Sequence, residues 1–193
     1  MPSHNSHEAE FNPSDRATLI GLARDSISHG LKAHHPLQVV ISDYSEKLQQ
    51  PRAAFVTLNI HDRLRGCIGH LEAIQPLVKD IADNAYAAAF QDPRFPPVTA
   101  NELPLITIHL SVLTAAKPLT FGSEEELLNL LQPGTDGLIL EEGHHRGTFL
   151  PSVWEQLPEP KEFLRHLKNK AGLAGDYWSD SLRLSRYTTE SFS

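Results

Sequence analysis

An α+β fold, in which helices cover an antiparallel sheet, is predicted by three features of this 193-residue sequence. Apolar residues recur at helical spacing over residues 19–31 and 77–89; strict alternation runs through 105–113; and two pairs of apolar runs are each joined by a short polar turn. No internal repeat and no low-complexity tract is present, which excludes repeat architectures.

Residues up to about Asn12 are polar and aperiodic, and are expected to form a loose N-terminal tail. Pro13-Ser14-Asp15 then opens a helix: Ser14 is a suitable N-cap, and Leu19, Ile20, Ala23, Ile27 and Leu31 supply one buried face. Residues 32–52 are mixed, with a short strand expected at 37–41 and a polar link over 45–51. The apolar run 53–60 and the run that begins at Leu64 read as two strands joined through His61-Asp62-Arg63. Pro76 marks a helix start, with Leu77, Val78, Ile81, Ala82, Ala85, Ala88 and Ala89 on its inner face, and Asp92-Pro93 ends it. In the alternating segment Ile106, Ile108, Leu110 and Val112 point inward, leaving Thr107, His109 and Ser111 on the other side. Ser123 caps a short helix with an acidic first turn, which buries Leu127, Leu128 and Leu131 before Pro133-Gly134 stops it. A second hairpin follows, with arms at 138–140 and 148–150, His144 and His145 facing water near its tip, and Glu142 opposite Arg146. A short helix over 151–157, a longer one over 161–171 burying Phe163, Leu164 and Leu167, and a final strand over 182–188 complete the chain.

A net charge of -7 lacks the basic footprint that binding to phosphate backbones needs, so nucleic acid is disfavoured as a partner. The single cysteine cannot form an internal disulfide, no apolar run approaches the ~20 residues of a membrane span, and no secretory signal opens the chain. A cytoplasmic protein of one domain, or of two lobes sharing a core, is the expectation.

That cysteine sits in Leu64-Arg65-Gly66-Cys67-Ile68-Gly69. If the hairpin turns about Asp62, Ile60 faces Leu64, Leu58 faces Gly66 and Val56 faces Ile68, so one face is apolar. The other sets Asn59 against Arg65 and Thr57 against Cys67, and Arg65 and Cys67 point to the same side. A guanidinium beside a thiol favours the thiolate, while Gly66 and Gly69 clear the backbone for a ligand or serve close packing. Cys67-Ile68-Gly69-His70 has a Cys-x-x-His spacing, but residues three apart in a strand face opposite ways and no second ligand pair follows, so no metal is expected. No phosphate loop, dinucleotide fingerprint or Ser-His-Asp motif is present, and no cofactor is expected.

Leu-Arg-Gly-Cys-Ile-Gly resembles the signature of the AMME chromosomal region protein family, whose bacterial and archaeal members are called AmmeMemoRadiSam system protein A. Further matches are Asp92-Pro93-Arg94-Phe95-Pro96-Pro97, Ser111-Val112-Leu113-Thr114, Asp136-Gly137-Leu138-Ile139, Phe149-Leu150-Pro151 with Val153 and Glu155, and Phe163-Leu164 with Lys170-Ala171-Gly172-Leu173. The resemblance implies one family domain over 13–193, built as two subdomains with a cleft. It also implies partnership with a Memo-like protein and a radical SAM protein. Where the family usually has Leu-Pro-Gln-Val, this chain carries Ser152.

The candidate site is therefore Cys67 as nucleophile or redox thiol, with Arg65 holding an anionic group of a small substrate and Thr57, Asn59, Gly66 and Gly69 lining the same wall. Asp92 and Arg94 join it as binding residues or as a pair bonded to each other and to the loop, and Glu155 as a general base or a charge near a helix start. Three readings stay open: an enzyme or substrate-handling subunit, a non-catalytic adaptor for the two partners, and an RNA-related role against which the acidic charge argues.

Overall fold

The structure is a computed structural model that describes residues 9–193. The chain forms two compact units, one running to Leu113 and taking in Glu190–Ser193, the other Thr114–Thr189. Both are α+β, each built on a four-stranded sheet.

In the first unit α1 (Pro13–Ala33) leads to the short α2 (Glu46–Gln49), then β1 (Ala54–Ile60), β2 (Arg63–Gly69), α3 (Leu77–Phe90) and β3 (Ile106–Leu113). β1 lies between antiparallel β2 and β3, and β8 (Thr189–Phe192) adds beyond β3. One sheet face carries Val56, Leu58, Ile108 and Leu110, all buried, against Ile81 and Ala85 of α3 and Leu19 and Ile27 of α1. Each such side chain contributes about 1.5–3 kcal/mol. The helices cross closely because Gly30 of α1 has no side chain: a Cβ there would lie 2.6 Å from the rings of Tyr86 and Phe90.

Three expectations need correction here. Of the stretch expected to be loose, residues 1–8 lie outside the described residues, but Phe11 is buried and its ring meets Phe192. The amides of Glu10 and Phe11 donate to the Glu190 carboxylate at 2.7 and 3.2 Å, so β8 holds this segment down. The N-cap of α1 is Asn12, not Ser14: its side chain accepts from the Asp15 amide, Asp15 reciprocates, and Pro13 takes the first helical position. Residues 37–41 form no strand, and a 3-10 turn, Ile41–Asp43, follows them.

In the second unit the strand order is β4-β7-β5-β6, with β4 at Lys117–Pro118, β5 at Gly137–Glu142, β6 at His145–Phe149 and β7 at Arg183–Tyr187. α4 (Glu124–Leu130) is capped by the Ser123 hydroxyl as expected, and α5 (Pro160–Lys170) buries Phe163, Leu164 and Leu167. Trp154 stacks flat on Phe163 at 3.7 Å and donates its indole N–H to the Asp136 carbonyl at 2.8 Å. The β5–β6 turn holds only Gly143, at φ 58°, and His144, so Glu141 rather than Glu142 opposes Arg146. His145 does not face water as expected; it is half-buried with Nδ1 3.0 Å from the Ala171 carbonyl. No helix among the described residues is long and apolar enough to cross a membrane.

Candidate functional site

The β1–β2 turn is a two-residue one, with His61 at φ 48° and Asp62 at φ 61°. Positive φ at both central residues matches the twist of the paired strands. From Phe55 to Leu58 the register is the expected one, with Thr57 opposite Cys67 and Leu58 opposite Gly66. Beyond Leu58 it slips, so that Asn59 faces Leu64 and Arg65 is the extra residue of a bulge. The expected Asn59–Arg65 pairing is thus corrected, and the strict alternation that would set Arg65 beside Cys67 is lost.

Arg65 is turned toward Glu102 instead. Its Nε and Nη2 donate to the two carboxylate oxygens at 2.8 and 3.2 Å, and Nη2 also reaches the Pro97 carbonyl at 3.3 Å. This bidentate pair, with donors from the Thr99 amide and hydroxyl, holds the Glu102 carboxyl at about 2 against an ordinary 4.5.

Cys67 is half-buried, with Sγ 3.2 Å from Thr57 Oγ1, a distance allowed because directly opposed residues of such a pair approach closely. Its main chain is gripped on the free edge of β2. The Cys67 amide donates to Asp92 Oδ2 at 2.9 Å, and Arg94 Nη2 donates to the Cys67 carbonyl at 3.4 Å. Arg94 also donates to both Asp92 oxygens, from Nε at 3.0 Å and from Nη2 at 2.7 Å, and Asp92 is itself buried. These bonds, Arg94's first, hold the Asp92 carboxyl well below the usual carboxylate range. So Asp92 and Arg94 do bond each other, and together they frame the cysteine.

The two depressed carboxyls give a pH dependence. A carboxyl whose value is lower in the folded than in the unfolded protein contributes stability above the unfolded value and loses it on acidification. For Glu102 that loss begins below about 4.5 and is complete near pH 2, with Asp92 giving way at still lower pH. Urea unfolding midpoints followed down through this range should show the decline, and Glu102→Gln should flatten the part that belongs to Glu102.

The glycines are explained by packing. A Cβ on Gly66 would lie 2.1 Å from the Ala88 carbonyl oxygen of α3, and one on Gly69 would lie 2.4 Å from the Phe55 ring and 2.5 Å from the Ala54 carbonyl oxygen. Glu155 belongs to the second unit, exposed at the last position of a 3-10 turn, Pro151–Glu155, so it is not at a helix start. Asn59 stands half-buried at the bulge. Two features were missed from sequence. One is His109, which opposes Thr57 from β3 and so shares the polar face with Thr57 and Cys67. The other is Asp80, fully buried, which accepts from the Ala54 amide at 3.0 Å, Asn84 Nδ2 at 2.9 Å and Gln75 Nε2 at 3.1 Å, with His70 Nδ1 at 3.2 Å.

Residues 20–192 match the model of the family described as AMMECR1. The chain belongs to the AMMECR1 family. It is 37% identical over 186 residues to a protein of Methanothermobacter thermautotrophicus, covering 95% of this chain and 96% of that one. A protein of Methanocaldococcus jannaschii is 38% identical over 159 residues, covering 80% and 79% of the two chains. The crystal structure of an uncharacterized protein from Pyrococcus horikoshii superposes with a TM-score of 0.75 at 34% identity, covering 91% of this chain and 89% of that one. In this AMMECR1 protein, then, residues 64–69 lie on a bulged edge strand whose cysteine backbone is bonded from outside the sheet by the segment that follows α3.

Proposed function

We propose that this AMMECR1 protein is a substrate-handling protein whose working group is the Cys67 thiol, acting with Memo-like and radical SAM partners. One observation carries the reading: both main-chain polar groups of Cys67 are held by the Asp92–Arg94 pair, while the side chain stands half-buried beside Thr57, on the far side of which His109 lies. Fixing a residue through its backbone from a buried carboxylate, itself clamped by an exposed arginine, is how a reactive group is held in one geometry. Arg65 spends its Nε and Nη2 on Glu102, so a substrate anion would have to displace that carboxylate or take the one remaining donor, the buried Nη1, which has no partner among the described residues.

The test is alkylation by iodoacetamide, which is unambiguous because Cys67 is the only thiol. At neutral pH the folded protein should react faster than the same protein in denaturant, and Asp92→Asn should reduce that advantage several-fold. Protection of the thiol in the folded state would sink the reading. It would favour the second one, a binding module without chemistry, which draws on the fact that Sγ bonds a hydroxyl rather than a base. In that case Cys67→Ser should bind the partner proteins as well as the natural chain does.

A further inference from the structure

The second unit holds a hollow of about 570 Å³ with no role in the Cys67 reading. That volume falls within the roughly 300–1,000 Å³ of small-molecule sites. One wall is residues 118–122, carrying Phe121, and the other is residues 178–180 and 182–185. Phe121 and Trp178 stand 5.7 Å apart with their planes inclined at 56°.

The Trp178 wall is rigidly built. Tyr177 Oη, Ser179 Oγ and Ser181 Oγ all donate to Glu142 Oε1, at 3.1, 3.1 and 2.6 Å. These hydroxyls, Ser181's first, keep the Glu142 carboxyl below its ordinary value, so the acceptor stays ionised. With three alternate residues tied to one carboxylate, the intervening Trp178 and Asp180 line the hollow. Lys168, fully buried, stands against the indole, its Nζ 5.7 Å over the ring and 3.1 Å from Glu124 Oε2. A buried charge is expensive to keep, and here it fixes the orientation of Trp178.

The same lysine selects the occupant. A cation already draws on the π-electrons of Trp178, which disfavours a second cation on that ring and favours a neutral planar ring stacked against it. The polar groups around such a ring are of both kinds. Asp180 is exposed and accepts from no described residue, and Arg183 offers donors from β7. Glu141 also lines the hollow, but is paired with Arg146.

We propose that this hollow binds a neutral planar nitrogen heterocycle of the purine or pyrimidine type, stacked on Trp178, with ring or exocyclic N–H groups of the base donating to Asp180 and its acceptors facing Arg183. The free base or nucleoside is the fitting form, since a polyanionic strand would meet a chain of net charge -7.

The experiment is a titration of the full chain with adenosine, guanosine, cytidine and uridine, each followed by saturation-transfer NMR on the nucleoside protons. At least one should bind saturably below about 10 mM, and Trp178→Leu should weaken it at least tenfold, which is about 1.4 kcal/mol. Asp180→Asn, an exposed substitution that leaves the core untouched, should weaken it several-fold. Failure of all four nucleosides to saturate, or unchanged binding in both variants, would overturn the proposal. So would saturable binding of choline in place of any nucleoside, which would make the hollow a cation cage.

Discussion

Gly66→Ala is expected to destabilise the protein by about 3 kcal/mol or more, the upper part of the range for forcing an extra carbon into a packed core. The new carbon would sit 2.1 Å from the Ala88 carbonyl oxygen, and backbone cannot rotate aside as a side-chain tip can. α3 would have to lift from β2, and Asp92, two residues beyond the end of α3, would be drawn from the Cys67 amide. The substitution should therefore also alter the alkylation rate of Cys67. Gly21→Ala is the matched control: apart from the adjoining backbone of α1 itself, nothing lies within 4 Å of its Cβ position in the middle of that helix, so a gain of about 1 kcal/mol is expected. Urea denaturation of both variants checks the pair, and a Gly66→Ala protein as stable as the natural one would show that the strand–helix approach is not tight.

Asp80→Ala is expected to cost about 3–5 kcal/mol. It would strand the Ala54 amide and the Asn84 side-chain amide in a buried setting, each worth about 1–3 kcal/mol when left without a partner. Asp80→Asn should cost less, since one amide oxygen can still accept from Ala54 and Asn84. Burial raises the Asp80 carboxyl above its ordinary 3.8, opposed by the bonds from Gln75 and His70. The sign is opposite to that of Glu102: the folded protein holds this proton more tightly, so its contribution is full below about 3.8 and declines as pH rises through the folded-state value. Subtracting the Asp80→Asn profile from that of the natural protein should expose this decline, and a flat difference would contradict it.

What could be read from sequence followed from periodicity. Alternation fixed the pairing of Thr57 with Cys67 and the inward row of β3, and the 3.6-residue spacing fixed the inner faces of α3 and α5; for α1 it found Leu19, Ala23 and Ile27 but not Leu22, Ser26 or Gly30, and Ile20 and Leu31 are only half-buried. The failures have local or distant causes. The tip of the first hairpin carries His61 and Asp62 at positive φ, where the usual Asn-Gly signal of a two-residue turn is absent, so the slip and the bulge at Arg65 were invisible. The partner of Arg65 is Glu102, far along the chain, and no spacing rule connects them. Phe11 is a lone aromatic in a polar stretch, and its burial depends on β8, whose four residues carry no strand pattern of their own. That Asp92 and Arg94 bond each other was one of two readings open in the sequence, but their grip on the Cys67 backbone had no signal there.

The return of the chain to the first sheet in β8 bears on how the protein is made. β8 adds to the sheet begun by β1, β2 and β3, yet residues 114–188 are synthesised in between. The second unit is an insertion, pinched at its neck where the Thr114 amide donates to the Thr188 carbonyl and the Thr188 amide returns a bond to Thr114 Oγ1, both at 2.8 Å. Until β8 is made, β3 presents an open edge to other chains. Only the emergence of β8 closes that edge and brings Glu190 to the amides of Glu10 and Phe11. The interval between the making of β3 and that of β8 is the time during which this chain is exposed to strand-pairing with its neighbours, and its length is set by the insertion.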